Sequence, residues 1–353
     1  MTLPTEPIGS IPRPRALIEA MQGAAAGGVA PERLEALFDD AVGDTIRRFE
    51  ETGSPIITDG EQRKPSFATY PIHGATNLKP GGVTIKFADG HERQLPVIAA
   101  GPFRYTTYAA SYLDAAKKHA HRPLKEAVIS ASALSLLYPQ SGIPGYSQDA
   151  FLGDLVNEAA KDIRQCLDRG APVQIDFTEG RLAVKLDPSK GLLNTFVDLN
   201  NRVLDRFSAA DRRKIGVHTC PGGDKDSTHS ADVDYADLLP ALFRLNVGNF
   251  YVQLASEKDR PRVLAILAKH ATGDRRIFVG VIDPIDPRVE SAETVRDRIL
   301  EAAKFIPASH LGSTDDCGFS PFGDDTSTSR DTAFAKIKAR VAGNEMASKT
   351  LGV

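Results

Sequence analysis

The triplet His218-Thr219-Cys220 closes the run Lys214-Ile-Gly-Val-His-Thr-Cys220, which reads as a buried parallel strand ending in two soft ligands. Far downstream, Cys317 ends a similar stretch, His310-Leu-Gly-Ser-Thr-Asp-Asp-Cys317. If the two strand ends meet, an imidazole and two thiolates converge, a donor set that suits zinc. Zinc at such a site makes a nucleophile of a substrate thiol at neutral pH. The plainer alternative is two unrelated buried thiols beside a stray histidine.

The elements that would bring these residues together are legible along the chain. Candidate strands end at Ile8-Gly-Ser10, Ile56-Ile-Thr-Asp-Gly-Glu61, Ala127-Val-Ile-Ser130 and Val173-Gln-Ile-Asp176. Four more end at Val217-His-Thr-Cys220, Tyr251-Val-Gln253, Val279-Gly-Val-Ile-Asp283 and Leu311-Gly-Ser-Thr-Asp-Asp-Cys317, with helical patterns between them. Eight such units predict an α/β fold, a (β/α)8 TIM barrel occupying residues 1–353 as one catalytic domain. No Gly-x-Gly-x-x-Gly or Walker signature follows any strand, which argues against a nucleotide-binding sheet. Between the second and third strands, residues 82–97 alternate around Asp89-Gly90 and predict an inserted β-hairpin.

Composition bounds the partners. Of 353 residues 41% are hydrophobic and 25% charged, with 43 basic against 46 acidic and a formal charge of -3. That leaves no basic footprint for nucleic acid or an anionic membrane, and no apolar run long enough to span a bilayer. The N-terminus, MTLPTEPIGS, lacks the basic and apolar regions of a secretory signal. Three cysteines do not make a disulfide framework, so the expected setting is the reducing cytoplasm. Cys166 falls on an apolar helical stripe with Leu152, Leu155, Ala159 and Ile163 and is read as core packing. Cys220 and Cys317 remain as the informative pair.

Polar residues recur at the strand ends: Ser10, Asp59, Glu61, Asp176, His218, Cys220, Gln253, Asp283, Asp316 and Cys317. In a barrel that rim is where an active site is built.

In this order, Ile8-Gly-Ser-Ile-Pro-Arg-Pro14, Asp59-Gly-Glu61, Val173-Gln-Ile-Asp176, His218-Thr-Cys220, Gly280-Val-Ile-Asp283 and Asp315-Asp-Cys-Gly318 resemble the catalytic domain of cobalamin-independent methionine synthase and its shorter single-domain relatives. The resemblance covers nearly the whole chain. It implies a barrel in which zinc holds the homocysteine thiolate while a methyl group is transferred to it. Full-length enzymes of that type carry an extra N-terminal barrel, and this chain is expected to begin directly at the catalytic one. Carried over by position, His218, Cys220 and Cys317 become zinc ligands, Glu61 and Asp176 grip the substrate ammonium, and Ser10 holds its carboxylate end. A structural alternative for the two acids is an ion pair with Arg13, Arg63 or Arg181.

Three departures from the family pattern stand out. Where the family has a fourth ligand, a glutamate, this chain has Gln253 or Leu254, with Glu257 just beyond, so Gln253, Glu257 or water would complete the site. There is no tryptophan on which a pterin could stack, and Tyr138 is the candidate substitute. The family's acid, a histidine that protonates the departing folate nitrogen, is replaced by Ile285. Asp283, Asp286 or His229 would then have to serve. The thiol-activating half is retained and the donor half altered. The donor is therefore either 5-methyltetrahydrofolate or a methylcorrinoid, free or carried on a partner protein.

The leading expectation is a zinc-dependent methyltransferase acting on homocysteine or a similar thiol. The alternative within the superfamily is an epoxyalkane–coenzyme M type of thiol alkyltransferase. A sulfonate thiol has no ammonium to engage Glu61 and Asp176. A non-catalytic metal-binding protein and a metal-free decarboxylase of the uroporphyrinogen type leave the polar rim or the ligand set without a use.

Overall fold

The structure, a computed structural model, describes residues 2–25, 27–87, 90–222 and 228–353. Two short ladders come first. β1 (Leu78–Lys79) pairs antiparallel with β4 (Val97–Ile98), and β2 (Thr84–Lys86) pairs antiparallel with β3 (Glu92–Gln94). Then follow β5 (Glu126–Ile129), β6 (Val173–Asp176), β7 (Ile215–Thr219), β8 (Asn249–Val252), β9 (Arg276–Ile282) and β10 (Leu311–Asp315). These form one six-stranded parallel sheet in sequence order, each strand joined to the next through helices.

The first two expected strands occur as irregular staves that close the sheet into the barrel. At one edge Thr5 bridges Ser313 of β10, and at the other Ile57 bridges Leu124 just before β5, both parallel. The two staves meet each other, Thr58 Oγ1 donating to Gly9 O at 2.8 Å and Ile11 N–H to Gly60 O at 3.0 Å. Chemistry explains the irregularity. Pro4, Pro7 and Pro12 remove ladder donors from the first stave, and Gly60 (φ 69°) and Glu61 (φ 57°) turn the second out of extended geometry.

The expected hairpin is present as β2 and β3, in register Thr84↔Gln94, Ile85↔Arg93 and Lys86↔Glu92. Of its anticipated turn, Asp89 lies outside the described residues. Cys166 sits on the buried stripe of the helix Gln148–Asp168 with Phe151, Leu155, Ala159 and Ile163, while Leu152 is half-buried. Among the described residues no helix is long and apolar enough to cross a membrane.

Register fixes which side chains point inward. Ile129, Asp176, His218, Tyr251, Phe278 and Gly312 are successive partners across the sheet, so they share its inner face. Tyr251 and Phe278 stack with centroids 4.8 Å apart and pack with Ile8 into a small cluster separate from the main core. They fit because their neighbours are glycines. A Cβ on Gly216 would lie 2.4 Å from the Tyr251 ring, and one on Gly312 would lie 2.5 Å from Phe278.

Candidate metal centre and active-site cavity

His218 and Cys220 are two residues apart across the end of β7, so both follow the inward face. Cys317 lies two residues past β10. Their ligand atoms lie within 4.8 Å of one another, all three residues are buried, and the two Sγ atoms are 2.7 Å apart. Neither ring nitrogen of His218 has a hydrogen-bond partner of ordinary geometry, although both are buried. Orphaned nitrogens inside a protein are costly unless something unseen binds them.

The charges tell the same story. Contact with Cys317 pulls the Cys220 thiol well below its usual range against the cost of burial, and His218 contributes to the shift. Burial, then the neighbouring Cys220 sulfur, pushes Cys317 well up. Burial works against a charged His218, but the Cys220 sulfur outweighs it and raises the imidazole. Two buried sulfurs 2.7 Å apart beside an imidazole thus oppose each other's ionisation, an arrangement that a divalent metal would relieve. Two thiolate sulfurs and one imidazole are the donor set that zinc takes, so the residues present fit that ion.

Three carboxylates open into the same cavity, whose volume is about 420 Å³. Glu61 is held by its left-handed backbone and by its N–H donating to Asp59 Oδ1 at 2.7 Å. Burial raises its pKa to about 7, Lys64 (Nζ to Oε1, 3.8 Å) partly opposing and Asp176 adding to the shift. Glu61 Oε2 has no partner. Asp176 takes one hydrogen bond from Gln174 Nε2 at 2.8 Å, and burial raises its pKa as well. The third, Glu179, opens the helix Glu179–Leu186 and was not anticipated from the sequence. An acidic residue in a first helical turn is ordinary there, and only its spacing from Asp176 could have drawn notice.

The arginines expected to compete for these acids are engaged elsewhere. Arg13 donates to the backbone oxygens of Glu61, Gln62 and Lys64, Arg63 pairs with Glu35, and Arg181 pairs with Glu257 at 2.6 Å. Ser10 lines the cavity, and its Oγ accepts the Ser320 N–H at 3.1 Å, tying the first stave to the loop after Cys317.

Other expected residues fall outside the cavity lining. Gln253 gives its amide to Glu257 at 3.0 Å. Asp283 caps the turn after β9, accepting Ile285 N–H at 2.9 Å, and Asp286 pairs with Arg288. Of the expected acids His229 does line the cavity, with burial holding it below the ordinary imidazole range. Tyr138 does not replace the missing tryptophan. Its hydroxyl donates to Tyr146 O and its ring packs on Phe151. The aromatic surface comes instead from Phe67, Phe87 and Phe322.

The inserted hairpin forms part of the wall. Ile85, Phe87, Arg93, Gln94 and Leu95 face the cavity, and Arg93 lies 3.9 Å over the Phe322 ring while pairing with Asp324 at 3.0 Å. Phe87 meets the ring of His229 edge-on at 5.9 Å.

A closed parallel barrel with a soft-ligand cluster and carboxylates at the C-terminal ends of its strands has the build of a barrel enzyme. The chain belongs to the family described as "Cobalamin-independent synthase, Catalytic domain", whose model matches residues 3–330. It is thus a methyltransferase of the cobalamin-independent methionine synthase type. It is 23% identical over 350 residues to a methionine synthase of Sulfurisphaera tokodaii, covering 99% of this chain and 94% of that protein. To a methionine synthase of Sulfolobus acidocaldarius it is 26% identical over 318 residues, covering 90% and 85%. A B12-independent methionine synthase from Shewanella sp. W3-18-1, solved with selenomethionine, superposes with a TM-score of 0.78 at 19% identity over 99% of both chains, which fixes the fold.

Proposed function

We propose that this chain transfers a methyl group from 5-methyltetrahydrofolate to the sulfur of homocysteine, with zinc held by His218, Cys220 and Cys317. The observation that carries the reading is that the sulfur–imidazole cluster and the carboxylates of Glu61 and Asp176 open into one cavity. When bound there, zinc supplies the Lewis acidity that keeps a substrate thiol deprotonated at neutral pH.

The chain's own residues do the rest. Glu61 and Asp176, lacking an arginine partner, receive the substrate ammonium and orient its thiol toward the cysteines. Ser10 lines the same cavity beside Gly318 and would meet the amino-acid carboxylate. Held by these three residues, zinc would have room for the substrate sulfur as a further ligand, as catalytic zinc sites do. Gln253 would have to leave Glu257 to occupy that position.

The aromatic side chains of Phe67, Phe87 and Phe322 suit a flat heterocycle, and the hairpin supplies part of the wall against which it would lie. A methylcorrinoid delivered by a partner protein gains no support from membership of a cobalamin-independent family. A coenzyme M-type thiol would bring its sulfonate against buried carboxylates.

The test is methionine formation by zinc-loaded protein, with 5-methyltetrahydrofolate and methylcobalamin as separate donors and homocysteine and coenzyme M as separate acceptors. Methionine from the folate donor is expected. Exclusive use of methylcobalamin, or preference for coenzyme M, would overturn the reading.

A further inference from the structure

Glu179 has a use in this cavity that its position at a helix start does not disclose. Its Oε1 accepts hydrogen bonds from two hydroxyls, Ser130 Oγ at 2.5 Å and Ser132 Oγ. The direction of both bonds follows from the groups behind them. Ser130 Oγ accepts the Ala133 N–H at 3.1 Å, so its own hydrogen is free to point at Glu179. Ser132 Oγ accepts from Asn200 Nδ2 at 2.6 Å. The Asn200 amide is itself oriented, its Oδ1 taking the Ala131 N–H at 3.0 Å and its Nδ2 also donating to Phe196 O at 3.0 Å. Both serine hydrogens are thus available to Oε1, and Ser132 Oγ has a second, longer acceptor in Ser130 Oγ at 3.3 Å. The other oxygen, Oε2, is buried and has no partner.

A carboxyl group held in this way carries any proton on Oε2, because Oε1 already accepts two. We propose that Glu179 is the proton donor to the leaving nitrogen of the methyl donor, taking the place of the acid that Ile285 cannot supply. The inference rests on the functional reading above, because only a nitrogen leaving group needs the proton. The substrate sulfur forms a bond to the methyl carbon with its own electron pair as the carbon–nitrogen bond breaks. The released pair stays on nitrogen, which takes the proton from Oε2. Products are the thioether, the N–H amine and a Glu179 carboxylate held by its two serines, which regains a proton from solvent on the next cycle.

Protonation at neutral pH is consistent with the surroundings. Burial raises Glu179 to about 7, the two serine hydroxyls pulling against the shift and Asp176 adding to it. From the rim it shares the cavity with Glu61, Asp176, His218 and the two thiols, and from the walls with His229 and Arg93. His229 is held below its ordinary range by burial and so enters as neutral imidazole, without a readily donated proton.

The experiment compares zinc-loaded wild type with Glu179→Gln, using 5-methyltetrahydrofolate and, separately, methyl iodide, whose leaving group needs no proton. With the folate donor the variant should lose about 10²–10⁴-fold in kcat, with the KM for homocysteine changed less than about threefold. With methyl iodide its loss should not exceed about threefold. The wild-type folate rate should fall as pH rises through about 7, a limb the variant lacks. In a second variant, Ser132→Ala, loss of a donor to the carboxylate should move that limb to higher pH. Equal losses with both donors, or a limb that does not move in Ser132→Ala, overturn the proposal. If wild type itself takes no methyl from the folate donor, the functional reading fails instead.

Discussion

Asp316 occupies the space that a side chain at Gly280 would need: a Cβ there would lie 1.8 Å from Asp316 Oδ1. From that place Asp316 accepts the N–H groups of Leu254, Ala255 and Ser256, each at 2.8 Å, and the Ser256 hydroxyl at 2.7 Å. The acid before Cys317 thus pins the turn after β8 and fixes the approach of that cysteine to Cys220. Gly280→Ala should displace Asp316, destabilising the protein by about 1–3 kcal/mol and lowering zinc occupancy. Thermal unfolding and metal analysis on one preparation check both. An unchanged melting temperature with full zinc would show that Asp316 has room to move.

The carboxylates should act on substrate affinity more than on metal. If Glu61 and Asp176 receive the substrate ammonium, Glu61→Gln and Asp176→Asn each remove a charged partner, a loss of about 1.5–3 kcal/mol. A rise of ten- to a hundredfold in the homocysteine KM is expected, with zinc content unchanged. Loss of zinc in Glu61→Gln would instead assign that residue to the metal.

The raised pKa of Glu61 makes a pH prediction whose sign is definite. Unliganded, Glu61 titrates at about 7 because burial penalises its charge. An ammonium beside it favours the carboxylate and lowers that pKa, so binding expels a proton between about pH 6 and 8. Norleucine, which has the ammonium but no thiol, isolates the effect. Calorimetry in buffers of different ionisation enthalpy should show proton release near pH 6.5 and tighter binding as pH rises to 8. Proton uptake on binding would contradict the assignment.

The same shift carries a cost to the unliganded fold. A carboxyl whose folded pKa lies above its unfolded value contributes stability that is full below about 4.5 and is lost as pH rises through the folded value. Glu61 and Glu179, both at about 7, and Glu126, at about 8, act in this direction. Metal-free protein should therefore melt at a lower temperature at pH 8 than at pH 5.5. Glu61→Gln should flatten that slope.

Much of this was written in the strand ends, because an inward-facing pair two residues apart, such as His218 and Cys220, has few other uses at a barrel rim. The first two staves were legible as positions and not as regular strands, since prolines and left-handed residues reduce each to a single bridge. Gln253 shows where periodicity stops informing. Tyr251 faces inward, and Gln253 would follow it had the strand continued, but β8 ends at Val252 and Gln253 turns to Glu257. Glu179 was hidden for the opposite reason. Its neighbours Ser130, Ser132 and Asn200 are remote in sequence, and only the closed barrel brings them together.

If Cys220 and Cys317 hold the zinc that activates homocysteine, zinc and methionine formation must be lost together. The most direct test measures zinc content and methionine formation together in wild type, Cys220→Ser and Cys166→Ser. Wild type and Cys166→Ser should each carry about one zinc and turn over alike, because Cys166 lies in the packed helix core away from the cluster. Cys220→Ser should lose its zinc and at least a hundredfold in rate. A Cys220→Ser protein without zinc that still forms methionine at the wild-type rate would contradict the account.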